Sequence, residues 1–217
     1  VLGFSLIQFV FPLLILLWAS LLDRFIAPSF NELGLLTLDA YTDVFSKGVF
    51  WGALKNTLIV AVGAATIVAF FSTIVAWIVV RSNMRGKRVL DLVASSSLAI
   101  PSVIAGVAFI IFYLSISRWV PIYGTVWVLV LAYSFRFSLD YRINSAGVGQ
   151  LGKELEEPSV ASGATMINTF RPVIMPLLAS SMFIGFILIF FLAFRDFTMA
   201  LMLGTSENKM LSVMVWN

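Results

Sequence analysis

The chain has 217 residues, of which 60% are hydrophobic and 12% are charged, and its formal net charge is +3. Soluble domains carry about twice that charged fraction and lack long uncharged runs, so the composition excludes soluble, disordered and fibrous proteins and indicates an integral membrane protein. Because the sequence contains neither cysteine nor histidine, it also excludes a disulfide framework, thiolate or imidazole metal sites, and catalysis by either side chain.

Five segments without a charged residue predict membrane spans. A helix needs about 20 apolar residues to cross a hydrocarbon core about 30 Å thick. The segments are 1–22, 58–80, 92–116, 120–135 and 173–194, of which the fourth is the shortest. The sequence therefore predicts an all-α polytopic transmembrane helical bundle in a single domain, residues 1–217. Because residue 1 is valine, we expect this sequence to be part of a longer protein.

The basic residues predict which side of the membrane each loop faces. Two loops, 81–91 and 136–172, are separated by two predicted spans and therefore lie on the same side. These loops hold eight of the 14 lysines and arginines, namely Arg81, Arg85, Lys87, Arg88, Arg136, Arg142, Lys153 and Arg171. The positive-inside rule places both loops, and the N-terminus with them, in the cytoplasm.

Small residues recur at every fourth position of the second predicted span, at Ala61, Ala65, Ala69 and Thr73. Such a helix face permits close contact with another helix. We expect packing within the same subunit, and a subunit interface is the alternative.

A proline at position 101 lies near the middle of the third predicted span, with several serines close to it. Proline removes a helical hydrogen bond, and serine hydroxyls are able to bond the carbonyls that it frees. The sequence predicts a kinked or broken helix, which either lines a transport pathway or is purely structural. Asp91 stands beside Arg88 at the cytoplasmic start of this span. We expect the two to form an interfacial ion pair, and a substrate ligand is the alternative.

The loop 136–172 is a long polar interruption that spanning a membrane does not require. Its segment KELEEPSVASGATMINTF predicts a short helix at 158–162, because Glu157 and Pro158 suit a helix start and Gly163 suits a helix end. A second helix at 164–170 leads into the fifth predicted span. The resulting helix-elbow-helix is a shape suited to docking on a partner.

The same segment carries a spaced motif. Glu157, Gly163 and Pro176 match by identity the pattern E-A-A-x3-G-x9-I-x-L-P, and the replaced positions are Pro158, Ser159, Val173 and Met175. This pattern is the EAA loop of bacterial ATP-binding-cassette (ABC) import permeases, which the chain therefore resembles. The stretch LDAYTDVFSKGVFWGALKNTLIVA is similar to the region before the second span of these permeases, so the resemblance covers about residues 35–216.

The resemblance implies the fold of a type I ABC importer permease, with a sixth span outside this sequence. It implies that 136–172 is a cytoplasmic coupling loop whose helix sits in a cleft of a cytoplasmic ATPase. Gly163 would permit the sharp turn, Pro158 would fix the helix start, and the carboxylates would meet donors on the partner. The implied ATPase-coupling residues are Glu154, Glu156, Glu157, Pro158, Ser159, Gly163 and Pro176. A solvated acidic face with a plain turn is the alternative.

The resemblance also implies partners and a location. They are a cytoplasmic ABC ATPase dimer, an extracytoplasmic substrate-binding protein, a second permease half that is either identical or fused, and lipid of the bacterial inner membrane. No nucleic acid is expected. The chain would be a transport subunit and not an enzyme, with ATP and magnesium bound by the ATPase and no cofactor of its own. Residues 147–153 approach a phosphate-binding loop, but Glu154 stands where serine or threonine must reach magnesium, so we expect no ATP site here.

The stretch FLAFRDFTMALMLGTSENKMLSVMVWN is similar to the corresponding region of ferric-iron permeases, so iron(III) is the first expected substrate. Permeases of the same family for thiamine, polyamines, phosphonate, sulfate or molybdate share the pattern and remain alternatives. A gradient-driven secondary transporter is a further alternative. It would be expected to show ionisable residues within the spans or an internal repeat, and the predicted spans contain neither.

Overall fold

The computed structural model describes residues 2–22, 24, 34–135, 137–152 and 174–216. The described residues form helices and turns and contain no strand, which confirms the all-α fold class. The chain divides into two compact units, residues 1–52 and 53–217. The predicted helices at 158–162 and 164–170 lie outside the described residues.

The first unit begins with a helix that has one π-helical turn. Helix α1 (Leu2–Ser5) passes through this turn (Leu6–Val10) into α2 (Phe11–Ser20), and α3 (Asp39–Ser46) follows later. The Ser20 hydroxyl lies 2.7 Å from the Tyr41 hydroxyl, which ties α2 to α3. Most of the large apolar side chains of α2 are exposed.

Helix α4 (Gly48–Arg81) has 34 residues and continues from the first unit into the second. Among the described residues it is the one helix whose length and apolar composition suffice to cross a membrane. Three shorter apolar helices cover Leu6–Ser20, Ser102–Ile116 and Ala179–Arg195. The small residues Ala61, Ala65, Ala69 and Thr73 are all buried, so this face of α4 packs within the described chain, as predicted.

The third predicted span is broken at the proline. Helix α5 (Lys87–Ser96) ends in a 3-10 turn (Ser97–Ala99), and α6 (Ser102–Ile116) begins after Pro101. Ile100 has the extended conformation that the residue before a proline prefers, which confirms the predicted break. Ser95 and Ser96 donate hydrogen bonds to the carbonyls of Asp91 and Val93, one turn earlier than the carbonyls that the proline frees.

The range 120–135 contains α7 (Val126–Ser134), and the next helix differs from the sequence expectation. Residues 136–172 were predicted as a loop, whereas the structure has helix α8 (Phe137–Gln150) in the first part of that range. Tyr141 and Val148 of α8 are buried, and α8 packs against α5 and α10. The polar side chains of α8 predicted contact with water, but Asp140 and Asn144 are hydrogen-bonded to α4 and Arg142 is hydrogen-bonded to α5.

The chain is described again from Ile174. Helix α9 (Met175–Leu177) leads into α10 (Ala179–Arg195), and two short helices follow, α11 (Thr198–Leu203) and α12 (Leu211–Trp216). Helix α11 packs against α6 and α7. These contacts and the start of α4 enclose a large apolar core that includes Val60, Leu129 and Leu203.

Candidate functional site

The predicted ATPase-coupling residues fall almost entirely outside the described part of the chain. Glu154, Glu156, Glu157, Pro158, Ser159 and Gly163 all lie within residues 153–173. Pro176 is described, and it lies in α9. A proline in the first helical turn costs no hydrogen bond, because the N–H group that it lacks would have no helical partner there. The site is therefore built from the helices on either side of residues 153–173.

The last residue of α4 holds the end of α8. The guanidinium of Arg81 donates hydrogen bonds to the carbonyl of Val148, at 3.1 Å, and to the carbonyl of Leu151. The final carbonyls of a helix have no partner within the helix, and a cation at this end also meets the negative end of the helix dipole. Arg81 thus fastens α4 to the chain two residues before position 153.

Apolar packing fastens the other side of residues 153–173 to the same place. Ile174 and Leu178 are buried in a cluster that also contains Trp77 of α4 and Tyr141 and Val148 of α8. The amide of Leu178 donates to the carbonyl of Ile174, which closes the first turn around Pro176. The chain therefore leaves α8 and re-enters the bundle at one shared cluster.

A buried polar group lies deeper between these helices. Ser72 of α4 and Asp140 and Asn144 of α8 each have 0% exposure. The Ser72 hydroxyl donates to Oδ2 of Asp140, and the Asn144 amide donates to the same oxygen at 3.1 Å and to the Ser72 oxygen at 2.8 Å. We call these three residues the polar triad. They link α4 to α8 by directional bonds.

Helix α10 approaches the polar triad without any side chain in between. A Cβ atom added to Gly185 would lie 1.4 Å from Oδ1 of Asp140, so only glycine fits at this position. A Cβ atom added to Gly147 of α8 would lie 2.8 Å from the Ser181 hydroxyl oxygen of α10. Small residues at both contacts let the two helix backbones come close.

Helix α8 also binds α5. The Tyr141 hydroxyl donates to Oδ1 of Asp91 at 2.7 Å, and Nη1 of Arg142 lies 3.7 Å from the same oxygen. Nη2 of Arg142 donates to the Ser95 hydroxyl at 2.7 Å. The ion pair expected between Asp91 and Arg88 is therefore wrong in its partner, because α8 places Arg142 beside Asp91.

The opposite end of α4 carries a second polar network. The Asn56 amide donates to the carbonyls of Glu207 and Lys209, and the amide of Leu211 donates to the Thr57 hydroxyl. Asn208 accepts a hydrogen bond from the Thr205 amide and donates to the carbonyl of Thr125. This network fixes the loop between α11 and α12 to the starts of α4 and α7. Arg81 lies about 38 Å along α4 from Asn56, at about 1.5 Å per residue.

An open apolar groove of about 620 Å³ lies beside Pro176. Its walls come from α4, α9 and α10, and they include Thr66, Phe70 and Phe183. Within the described part of the chain, no group of three or more acidic residues lies together as a metal site would require. Helices α4, α8 and α10 are therefore held together at the two points where the described chain stops before residue 153 and resumes after residue 173.

Two ferric transport system permease proteins are similar to most of this chain. The ferric transport system permease protein FbpB of Actinobacillus pleuropneumoniae is 28% identical over 84% of this chain and 27% of the relative. The putative ferric transport system permease protein FbpB 1 of Haemophilus influenzae is 30% identical over 80% of this chain and 28% of the relative. The chain thus spans little more than a quarter of the length of these proteins. Relatives named for trehalose and maltose, sulfate and putrescine transport match at 27%, 26% and 24% identity.

The fold of this chain is similar to that of a solved transporter, and its sequence matches a protein family. The crystal structure of a bacterial ABC transporter involved in the import of the acidic polysaccharide alginate has a chain that superposes with a TM-score of 0.77. The superposition covers 99% of this chain and 75% of that one at 17% sequence identity, so it shows a shared fold. Residues 69–217 match the family model described as binding-protein-dependent transport system inner membrane component.

Proposed function

The chain belongs to the family of binding-protein-dependent transport system inner membrane components, the permeases of ABC importers, and from this membership we propose a specific role. It forms part of the translocation pathway of an ATP-driven importer for iron(III) in the bacterial inner membrane. A separate ABC ATPase dimer binds the EAA-like loop and supplies the energy, with ATP and magnesium bound on that partner. A substrate-binding protein and a second permease half complete the importer.

The fastening of the chain on both sides of residues 153–173 carries the coupling part of this proposal. Arg81 holds the end of α8, and Ile174 and Leu178 hold the start of α9 and α10 against Trp77 of α4. A force applied to the loop by an ATPase would therefore reach α4 at a single place. A freely hanging loop would dissipate such a force, so this construction supports a coupling role.

The ferric relatives support iron(III) as the substrate, because they are 28% and 30% identical to this chain over 84% and 80% of its length. Iron(III) prefers hard oxygen ligands, whereas histidine and cysteine are absent from this sequence. Hydroxyl and carbonyl oxygens along the helices suit passage of such an ion better than tight binding. Relatives named for sugar, sulfate or putrescine transport make those solutes the alternatives for the uptake experiment.

The first experiment tests the ATPase partner. The full-length protein is purified from its native membrane in mild detergent, and the proteins that accompany it are identified by mass spectrometry. We expect a cassette ATPase with the wild type and its loss with Gly163→Trp. Gly52→Trp is the matched control, because Gly52 is exposed and a Cβ added there meets nothing within 4 Å. Absence of an ATPase from the wild type would overturn the proposal.

The second experiment tests the substrate. The purified importer, with its ATPase and binding protein, is reconstituted into liposomes and supplied with ATP and with radioactive iron(III), sulfate or putrescine. We expect ATP-dependent accumulation of iron(III) alone. Accumulation of sulfate or putrescine without iron(III) would leave the importer assignment in place and replace the substrate.

A further inference from the structure

The proposed function assigns no role to the polar triad. Asp140 is the only charged side chain among the described residues that is fully buried. We propose that Asp140 is a positioning residue that joins α4, α8 and α10 into one rigid body during the transport cycle. This inference rests on the proposed function, because it concerns how an ATP-driven movement passes through the bundle.

Hydrogen bonding by Asp140 fixes the register of α8 on α4. Oδ2 of Asp140 accepts from the Ser72 hydroxyl and from the Asn144 amide, and that amide also donates to the Ser72 oxygen. Buried donors that lose their acceptor are costly, so a shift of α8 along α4 would leave two or three of these groups without partners. The observed register gives both donors an acceptor, while Oδ1 of Asp140 and Oδ1 of Asn144 accept no hydrogen bond from the described residues.

The other carboxylate oxygen of Asp140 brings α10 into the same unit. Oδ1 lies directly against the backbone of Gly185, at the place that a Cβ atom would occupy. The described residues place no lysine or arginine in an ion pair with this carboxylate. Its role therefore depends on hydrogen bonds and on shape, and a neutral side chain with the same acceptor should fill it.

The position of the triad makes it a second fastening point. Asp140 lies ten residues before Gln150, and Gly185 lies eleven residues after Ile174, so each is about 15 Å along its helix from the Arg81 end. One fastening point permits a hinge between two helices. Two points separated by about 15 Å hold the helices as one body.

A reversible disulfide tests the rigid body directly, because these 217 residues contain no cysteine that could compete for the pairing. The variant is Gly147→Cys with Ser181→Cys, since a Cβ on Gly147 would lie 3.0 Å from the Ser181 Cβ atom. A disulfide needs about 3.5–4.5 Å between these atoms, so a small outward shift accommodates it. The assay is ATP-driven uptake of iron(III) by the reconstituted importer before oxidation, after oxidation and after reduction.

We expect the oxidised importer to keep at least half of its uptake, because α8 and α10 do not move relative to each other. Each single-cysteine variant, given the same oxidant, is the control. Loss of uptake on oxidation and its return on reduction, with the ATPase still bound, would overturn the inference and leave the proposed function intact. Absence of the ATPase from the untreated importer would instead refute the proposed function.

Substitution of Asp140 tests the residue itself. Asp140→Leu removes the acceptor, and we expect iron(III) uptake per ATP hydrolysed to fall about tenfold, the equivalent of about 1.4 kcal/mol. Asp140→Asn keeps an oxygen at the Oδ2 position, and we expect a ratio within a factor of two of the wild type. A wild-type ratio for Asp140→Leu, or an Asp140→Asn variant as impaired as Asp140→Leu, would overturn the assignment. If Asp140→Leu does not fold, the disulfide experiment decides alone.

Discussion

The second unit joins its helices in two different ways. In what we call the apolar region, the start of α4 packs with α6, α7 and α11 through aliphatic and aromatic side chains around Leu129 and Leu203, beside the hydrogen bonds that hold the loop between α11 and α12. In what we call the polar region, Ser72 and Arg81 at the end of α4 are hydrogen-bonded to α8. Helix α8 in turn binds α5 through Tyr141 and Arg142 and meets α10 at Gly185. Apolar contact is non-directional, whereas hydrogen bonds fix one register. Apolar packing therefore supplies most of the stability of the first region. Close to the predicted coupling loop, hydrogen bonds fix the position of α8 relative to α4.

The contrast predicts that damage to the apolar region affects folding without affecting coupling. Leu129 is fully buried, and Leu129→Ala leaves a cavity that lowers the free energy of unfolding by about 3 kcal/mol. The midpoint of thermal unfolding in detergent should fall by about 9 °C. The protein that remains folded should keep the wild-type ratio of substrate uptake to ATP hydrolysis. A lowered ratio would remove the distinction between the two regions.

Gly185→Ala is the next largest expected effect, and it lies in the polar region. The new Cβ atom would lie 1.4 Å from Oδ1 of Asp140, so the hydrogen-bonded carboxylate must shift or α10 must move away from α8. We expect the free energy of unfolding to fall by about 2 kcal/mol, the cost of an overpacked contact, together with a lower ratio of uptake to ATP hydrolysis.

The matched control is Gly52→Ala, at an exposed helical glycine where a Cβ meets nothing within 4 Å. Alanine favours a helix more than glycine does, so this control should unfold at an equal or higher temperature. The double variant Asp140→Ala with Gly185→Ala removes the clashing oxygen as well. Its loss of stability should be smaller than the sum of the two single losses, and simple additivity would contradict a direct contact.

Arg81→Met tests the fastening at the end of α4. Methionine keeps most of the apolar stem and removes the donors to the carbonyls of Val148 and Leu151. Because Arg81 is only partly buried, we expect a loss of about 1.5 kcal/mol in the free energy of unfolding, the lower end of the range for charged donors. The ratio of uptake to ATP hydrolysis should also fall. Lys55→Met, at an exposed cation near the other end of α4, is the control and should change neither quantity.

Local rules predicted part of this architecture from sequence. Pro101 predicted the break between α5 and α6, and the spacing of Ala61, Ala65 and Ala69 predicted a closely packed face. Both features depend on the residues of a single helix. The motif residues at 153–173 lie outside the described residues, so the coupling helix stays a prediction.

Helix α8 could not be predicted in the same way. The sequence placed Asp140 and Asn144 in a solvated loop. Ser72, which is bonded to both, and Gly185, which lies against Asp140, are more than 40 residues away in the sequence. The signal that was available is the helical spacing of Tyr141, Val148 and Leu151. Asp140 lies outside the five predicted spans, so the lack of ionisable residues in those spans gave no sign of a buried carboxylate. The hydrogen bond between Asp140 and Ser72 depends on a tertiary contact that no local sequence pattern contains.

Tyr141→Phe has the smallest expected effect, and it allows the loss of one hydroxyl group to be compared between the polar and apolar regions. The variant removes the hydroxyl group that donates a hydrogen bond to Asp91. Arg142 remains close to Asp91, and the Asp91 side chain is 38% exposed. Water is therefore able to replace the lost donor, and we expect the free energy of unfolding to fall by no more than about 1 kcal/mol. Tyr113→Phe removes the same atom in the apolar region, where Tyr113 is buried among aromatic side chains. If the polar region owes its register to directional bonds, Tyr141→Phe should lower the uptake per ATP hydrolysed and Tyr113→Phe should not, whereas equal effects of the two would place the register in the packing.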